Sequence, residues 1–310
     1  MTVLFGAKQG KPCSEKAFPV KGNIYASIRC LLLTLLTAPY IMLLLYAATT
    51  GNITSWILIT RLGDTEAYIA LTVLLYTFIE ARLAIMALLT LSLSSSICIL
   101  LKDFFAMPRP SPNLWKVPVS GYSFPSGHAT ISSSFWSLIY LYLGNHYFIP
   151  LIVLVVLSVS FSRVILGVHY LEDVLAGIIL GLSVSLILYK LYKTVKTGNI
   201  VRLASLTSLS LIIIHSFLYG TVDYLSIAAA SIVLILFSQR IEAFIKMLED
   251  SPLRSRAVAT LATVSIAAFL AYLSHRFSYN YITSLLIDAT LVASALAIPP
   301  ILAMNITRQD

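Results

Sequence analysis

The 310-residue chain is 58% hydrophobic and 11% charged, and its mean hydropathy is +0.90. This composition excludes an ordinary soluble domain, which is nearer half apolar and a quarter charged. Several apolar runs exceed about 18 residues with almost no charge, so the sequence predicts an all-α polytopic membrane protein. The net charge of +8 does not indicate nucleic-acid binding, because the cations lie mostly between the apolar runs.

Taken in order, the sequence begins with a basic leader at 1–22. Six spans are predicted next, at about 27–49, 65–80, 83–104, 127–144, 147–167 and 171–192. The apolar stretch 56–60 is too short to cross a membrane and is predicted to lie at its interface. Four more spans follow at about 203–220, 224–238, 258–275 and 281–304, with a charged, amphipathic linker at 239–257. We therefore divide the chain into the leader (1–22), a six-helix catalytic core (23–198) and additional helices (199–310).

Ten crossings place both termini on the same side of the membrane. Fifteen of the 21 Lys and Arg residues fall on that side, and six fall on the other. Positive charge favours the cytoplasm, so we expect both termini inside an integral protein of the cell membrane.

Three polar clusters lie between residues 102 and 173, each against an apolar run. They are Lys102–Pro110 (KDFFAMPRP), Pro125–His128 (PSGH) and Ser162–Asp173 (SRVILGVHYLED). From His128 to His169 is 41 residues, close to two crossings of about 20 residues each. Both histidines are therefore predicted at one membrane face, the outer one. Half of the six outside cations belong to these clusters, against the charge bias, which indicates one composite anion site.

Phosphate is the anion that these donors suit. Lys102 supplies a point charge, while Arg109 and Arg163 carry planar guanidinium forks that bind phosphate oxygens in pairs. The pair Ser126-Gly127 opens a predicted helix, with Ser126 as its N-cap. The first N–H groups of such a helix lack partners and attract an anion, and glycine lets the backbone approach closely.

The two histidines suit the roles of nucleophile and proton donor. His169 and Asp173 are spaced i, i+4, so on a helix they share a face and the carboxylate can hold one ring nitrogen protonated. The other lone pair can then attack phosphorus. His128, behind Ser126, can protonate the leaving group. No carboxylate cluster suggests a magnesium site, so neither a metal nor another cofactor is expected.

These residues closely resemble the signature of the type 2 phosphatidic acid phosphatase superfamily. Its three parts are Lys, six residues, Arg-Pro; Pro-Ser-Gly-His; and Ser-Arg, five residues, His, three residues, Asp. Every fixed position is matched, and the resemblance covers about residues 27–192. It implies a phosphohistidine at His169, a general acid at His128 and an orienting carboxylate at Asp173. It assigns phosphate binding to Lys102, Arg109, Ser126, Gly127 and Arg163.

The resemblance implies an integral membrane phosphatase that hydrolyses a lipid phosphate or pyrophosphate without metal. Among substrates we favour a polyprenyl pyrophosphate of the undecaprenyl or dolichyl type. Alternatives are phosphatidic acid or phosphatidylglycerophosphate, and a sugar phosphate, because the glucose-6-phosphatase of the endoplasmic reticulum also extends the six-helix core. A lipid phosphotransferase and a non-enzymatic transporter or lipid-binding module also remain open. The expected partners are the substrate and membrane lipids, and the oligomeric state is left open.

Other ionisable residues have less specific interpretations. Arg61 and Asp64 are expected to shape the mouth of the site or to pair with each other, without a direct catalytic role. His215 and Asp288 fall inside predicted late spans, where ionisable groups are candidates for function. Hydrogen bonding between helices explains them equally well.

Overall fold

The structure, a computed structural model, describes residues 23–144, 146–220, 224–276 and 281–307; the predicted leader at 1–22 lies outside them. Within these ranges the chain forms twelve α-helices and no strand, which confirms the all-α class. The helices are α1 (Asn23–Thr50), α2 (Ile53–Arg61), α3 (Thr65–Leu74), α4 (Ala81–Phe105), α5 (Gly127–Leu143), α6 (Ile149–Ile165), α7 (Leu171–Thr194), α8 (Thr197–Tyr219), α9 (Leu225–Phe237), α10 (Ile241–Glu249), α11 (Leu253–Arg276) and α12 (Tyr281–Thr307).

Four helices of the described ranges are long and apolar enough to cross a membrane: α4, α7, α8 and, within α12, Leu285–Ile306. The pairs α2–α3 and α9–α10, bent by 48° and 85°, raise this number to six if each pair counts as one span. Helix α6 and the stretch Thr37–Thr50 of α1 are apolar but shorter than the roughly 20 residues a straight crossing requires. The ten crossings counted from the sequence thus stay a prediction.

The stretch 56–60 was predicted to be a separate segment at the membrane interface, and the structure differs. It lies within α2, which continues across the bend into α3 and a π-helical turn at Leu75–Ile79. Trp56 and Ile59 are buried in a small core that also contains Leu166 and Val168. Burial of apolar surface in that core holds α2 against the turn that follows α6.

Helices α5 and α7 lie unusually close together because glycine faces the contact. A Cβ atom on Gly181 would lie 2.1 Å from Ser133 Oγ, and one on Gly177 would lie 2.6 Å from the carbonyl oxygen of Ser126. No larger residue fits at either position without a shift of the neighbouring helix. The two glycines therefore bring the beginning of α5 beside the first turns of α7.

The proline-rich connection between α4 and α5 contains no α-helix, as predicted, and it folds over the α6–α7 turn. Ala106 ends α4 in the left-handed conformation at φ +47°. The Ser123 N–H donates to the Met107 carbonyl at 2.9 Å, and the Lys116 N–H donates to the Leu166 carbonyl at 3.0 Å. The first bond joins the two ends of the connection to each other, and the second ties its middle to the turn that follows α6.

The additional helices are attached to the core by buried polar contacts. Helix α8 begins directly after α7, earlier than the sequence predicted, and packs along α4. The Ser96 and Ser208 hydroxyls lie 2.7 Å apart, and His215 hydrogen-bonds the carboxylate of Asp103. Of the two interpretations of His215, the structure thus shows the hydrogen bond between helices.

The predicted amphipathic linker at 239–257 contains the short helix α10. Its apolar side is buried in the main core. The buried residues are Ile241, Phe244, Ile245 and Leu248. On its polar side, Glu242 accepts a hydrogen bond from Arg82 at 2.9 Å, which joins α10 to the start of α4.

We predict that Gly181→Leu destabilises the protein, because the added side chain must push α5 away from α7. Overpacking of this kind costs about 1–3 kcal/mol. Thermal unfolding in detergent should show a clearly lower Tm than wild type. Ser183→Leu, on the exposed side of the same helix, is the matched control and should unfold near the wild-type temperature; equal Tm values for both variants would contradict the close contact.

Candidate active site

The fold brings the three polar clusters to one place. The Ser126 N–H, at the start of α5, donates to the carbonyl oxygen of Asp173 in the first turn of α7 at 2.9 Å. Arg109, in the connection after α4, donates from Nη1 to the Val168 carbonyl at 2.9 Å. Lys102, near the end of α4, donates to the Ser123 carbonyl just before the second cluster at 3.2 Å. Segments far apart in sequence therefore meet in one site.

The ring of His169 is held by both nitrogens. Its Nδ1 lies 3.2 Å from Asp173 Oδ2, and its Nε2 lies 3.1 Å from Arg109 Nη1. A guanidinium group can only donate, so Nε2 of His169 carries the lone pair. Its Nδ1 carries the proton and donates a hydrogen bond to the Asp173 carboxylate. The structure thereby fixes the tautomer that a nucleophilic Nε2 requires.

The geometry of this pair differs from the expected shared helix face. His169 lies in the turn before α7, which begins at Leu171. Asp173 reaches back from the first turn of the helix and also accepts the Tyr170 N–H at 2.8 Å. One carboxylate thus caps the helix and orients the imidazole, which explains the four-residue spacing without a helix at His169.

The surroundings of His169 keep its ring neutral. Only 4% of the residue is exposed, and burial lowers the pKa of His169 to about 4. The bond to Asp173 opposes this shift, whereas the positive charges of Lys102, Arg109 and Arg163 add to it. At neutral pH Nε2 therefore carries a lone pair, which accepts from Arg109 Nη1 in this structure.

Two buried donors of the site have no partner among the described residues. Ser126 occupies the N-cap position of α5, as predicted, but its side chain makes no capping bond, and its Oγ is buried without a hydrogen bond. The Nε of Arg163, a residue 6% exposed, is likewise unpartnered. A buried unpaired donor costs about 1–3 kcal/mol and is uncommon. Next to Ser126, a Cβ on Gly127 would meet open space, so this side of the helix start is accessible.

The other two cations are already held by backbone carbonyls. Lys102 donates to the carbonyls of residues 122 and 123 at 2.9 and 3.2 Å. Arg109 donates from Nε and Nη2 to the carbonyls of residues 121 and 120, each at 2.9 Å. The predicted binding of phosphate by the Arg109 fork stays a prediction, and the structure shows that Nε, Nη1 and Nη2 already donate to the loop and to His169. Arg109 therefore fixes the loop and the imidazole while adding positive charge.

The second histidine has a partner that sequence reasoning missed. His128 Nε2 lies 3.0 Å from Asp64 Oδ1, across the bend between α2 and α3. Asp64 was expected to shape the mouth or to pair with Arg61, and the structure instead shows this contact with His128. Asp64 lies far upstream of the three clusters, and only its place as a lone carboxylate in a predicted outward loop singled it out. The same segment reaches Arg163, whose Nη1 donates to Thr60 Oγ1 at 3.1 Å.

Comparison with known proteins gives matches to part of the chain. The chain is 32% identical over 106 residues to a dihydrosphingosine 1-phosphate phosphatase of Schizosaccharomyces pombe, covering 29% of this chain and 26% of the relative. It is 37% identical over 95 residues to the decaprenylphosphoryl-5-phosphoribose phosphatase of Mycobacterium tuberculosis, covering 30% and 51%. A lipid A 4'-phosphatase of Porphyromonas gingivalis is 32% identical over 124 residues, covering 37% and 51%.

These matches extend over a quarter to a half of the relatives' lengths. No solved structure matches the chain significantly. Residues 82–197 match the PAP2 superfamily, and they contain all eight residues singled out from the three clusters. This part of the chain is therefore similar to the PAP2 superfamily, while the residues before 82 and after 197 lie outside the match.

Proposed function

We propose that the protein is a membrane phosphatase that transfers the phosphoryl group of a lipid phosphate to His169 and then hydrolyses the phosphohistidine. The observation that carries this proposal is the fixed tautomer of His169, with its lone pair on Nε2, in a site with two buried donors that lack partners among the described residues. The match of residues 82–197 to the PAP2 superfamily and the similarity to relatives named as phosphatases support it.

In the first step, Nε2 of His169 exchanges its hydrogen bond with Arg109 Nη1 for a bond to phosphorus, and the bond to the leaving oxygen breaks. Ser126 Oγ, Arg163 and the first N–H groups of α5 bind the equatorial oxygens, where charge accumulates in the transition state. Lys102 adds positive charge. His128 gives a proton to the leaving oxygen, which departs as a neutral alcohol or as the remaining phosphate.

In the second step, a water molecule attacks the phosphohistidine. His128, now neutral, takes a proton from that water as the new P–O bond forms. The P–N bond breaks, inorganic phosphate is released and the Nε2 lone pair returns to His169. His169 keeps its Nδ1 proton throughout, hydrogen-bonded to Asp173. The histidine therefore ends the cycle in the tautomer with which it began.

An apolar rim supports a lipid substrate over a soluble one. Large apolar and aromatic side chains beside the clusters are exposed. They are Phe104, Phe105, Met107, Leu114, Tyr122, Tyr170 and Leu171. We infer that the lipid tail lies against these residues while the headgroup enters the site from the outer leaflet. Both chain termini are then cytoplasmic, in agreement with the charge distribution of the loops.

Within this class we propose a polyprenyl pyrophosphate as the substrate. A pyrophosphate supplies a good leaving group and extra negative charge for a site with three cations. One of the matched relatives is named for a decaprenyl-linked substrate, whereas the other two are named for a sphingoid phosphate and for lipid A.

We predict that His169→Ala lowers turnover roughly a thousandfold or more, because the nucleophile is lost. Phosphate release is measured in detergent with excess EDTA, which also tests the expected independence from metal. His146→Ala is the matched control. This exposed histidine lies in the turn between α5 and α6 and contacts Tyr140 of α5. Wild-type protein should form an acid-labile radiolabelled phosphohistidine. Full activity of His169→Ala would contradict the proposal.

We predict an acid limb in the pH profile of kcat/KM that reflects His169. Since its pKa is lowered to about 4, the lone pair is lost only as pH falls through that value. Arg109→Gln removes a positive charge that lowers this pKa, so the limb should move to higher pH, while Arg109→Lys should move it less. Comparison on one substrate cancels the ionisation of the substrate itself; coincident limbs for all three proteins would contradict this assignment.

We predict that a panel of lipid phosphates separates the proposed substrates. Undecaprenyl pyrophosphate should give the highest kcat/KM, followed by phosphatidic acid and phosphatidylglycerophosphate, with glucose 6-phosphate lowest because it lacks an apolar tail. Product analysis accompanies each assay. Phosphate recovered on a second lipid or sugar would indicate a phosphotransferase, and a higher rate with glucose 6-phosphate would overturn the lipid assignment.

A further inference from the structure

Asp64 stands out among the residues outside the signature because it contacts a signature histidine. It lies outside the region that matches the PAP2 superfamily. Its Oδ1 is 3.0 Å from His128 Nε2, and the side chains of His128 and Asp64 are 25% and 40% exposed. Within the described part of the chain, this is the hydrogen bond that the His128 ring makes.

The bend between α2 and α3 is shaped to make this contact. Asp64 occupies the N-cap position of α3, yet its side chain makes no capping bond there and faces His128 instead. The preceding residue, Gly63, leaves room for the ring, because a Cβ at that position would lie 2.8 Å from His128 Cδ2 and 2.5 Å from Val159 Cγ1. The Asp64 carboxylate thus contacts His128 in place of the capping bond that an N-cap aspartate usually makes.

The electrostatics of the site explain what a carboxylate adds. A proton donor must carry its proton before the reaction, so His128 has to be an imidazolium in the substrate complex. Burial opposes a charged ring, and the positive charges of Arg163 and Lys102 add to this effect. Asp64 is the negative group in contact with the ring and favours its charged form.

The contact also distinguishes the two ring nitrogens of His128. Asp64 accepts the Nε2 proton, so Nδ1 is the nitrogen that remains to act on the substrate. When the bond between phosphorus and the leaving oxygen breaks, its electron pair stays on that oxygen and the Nδ1 proton is transferred to it. The imidazole is left neutral, with its Nε2–H still donated to Asp64.

We propose that Asp64 is a positioning residue for the reaction, which holds His128 by Nε2 as a charged proton donor whose Nδ1 faces the leaving oxygen. This inference rests on the proposed function, since it assigns a partner to the proposed general acid. It makes the bent α2–α3 element, upstream of the matched domain, a part of the catalytic apparatus.

The test compares two substrates that differ in their need for a proton. Decyl phosphate releases an alkoxide that must be protonated, whereas 4-nitrophenyl phosphate releases a stable phenolate. The parameter kcat/KM covers the steps up to the phosphohistidine, where this proton moves. Asp64→Asn should lower kcat/KM for decyl phosphate by about 10- to 100-fold, part of the 10²–10⁴-fold effect of general acid catalysis. The value for 4-nitrophenyl phosphate should change less than about threefold.

Three further variants make the result specific. Glu66→Gln, a matched change from acid to amide at an exposed position of α3, should leave both values unchanged. Asp64→Glu keeps the carboxylate and should recover part of the loss. In a His128→Ala background, Asp64→Asn should add no further loss with decyl phosphate, because both changes remove one function.

The ratio of the two kcat/KM values within one preparation does not depend on the folded fraction, so poor folding of Asp64→Asn cannot imitate the effect. An unchanged ratio, or additive losses with His128→Ala, would overturn the role of Asp64. Failure of the proposed function itself would look different, because wild-type protein would then release phosphate from neither substrate or would keep its activity in the His169→Ala variant.

Discussion

The site depends on one contact, the hydrogen bond from the Ser126 N–H to the Asp173 carbonyl at 2.9 Å. It joins the beginning of α5 to the first turn of α7, and therefore the Pro-Ser-Gly-His cluster to the carboxylate that holds His169. Gly177 and Gly181 make the contact possible, since a Cβ at either position would overlap α5. A site assembled from separate helix ends needs such a fixed junction, because displacements of about an ångström already impair catalysis.

Around this junction, some hydrogen-bond donors of the site are held by backbone carbonyls and others are not. Lys102 and Arg109 are held by carbonyls of the connection between α4 and α5, so they bring positive charge without moving. Ser126 Oγ and Arg163 Nε are buried and have no partner among the described residues. Under the proposed function this is a form of preorganisation, because a bound phosphate would accept from donors that are already in place.

The sequence predicts the helical class, the three clusters and their meeting because fixed spacings and long apolar runs constrain where helix ends lie. It does not predict the partner of His128, since the contact with Asp64 depends on a 48° bend that periodicity does not encode. It does not show the acceptors of Arg109, because carbonyl groups of a loop leave no pattern in the side chains. The bond between His169 and Asp173 was expected from their spacing on a helix, whereas the structure places His169 in the turn before α7, within residues 168–170 that the predicted spans left open.

Buried polar contacts join α4 to α8, across the boundary between the predicted core and the additional helices. Apolar helices in a membrane gain little from hydrophobic contact with each other, so buried hydrogen bonds and close packing decide which helices stay together. Ser96 with Ser208, and Asp103 with His215, bind the first additional helix to the helix that carries Lys102. Asp103 directly follows Lys102, so α8 contacts the turn of α4 that carries this lysine. The boundary at 198 stays a prediction, and the buried polar contacts between α4 and α8 cross it.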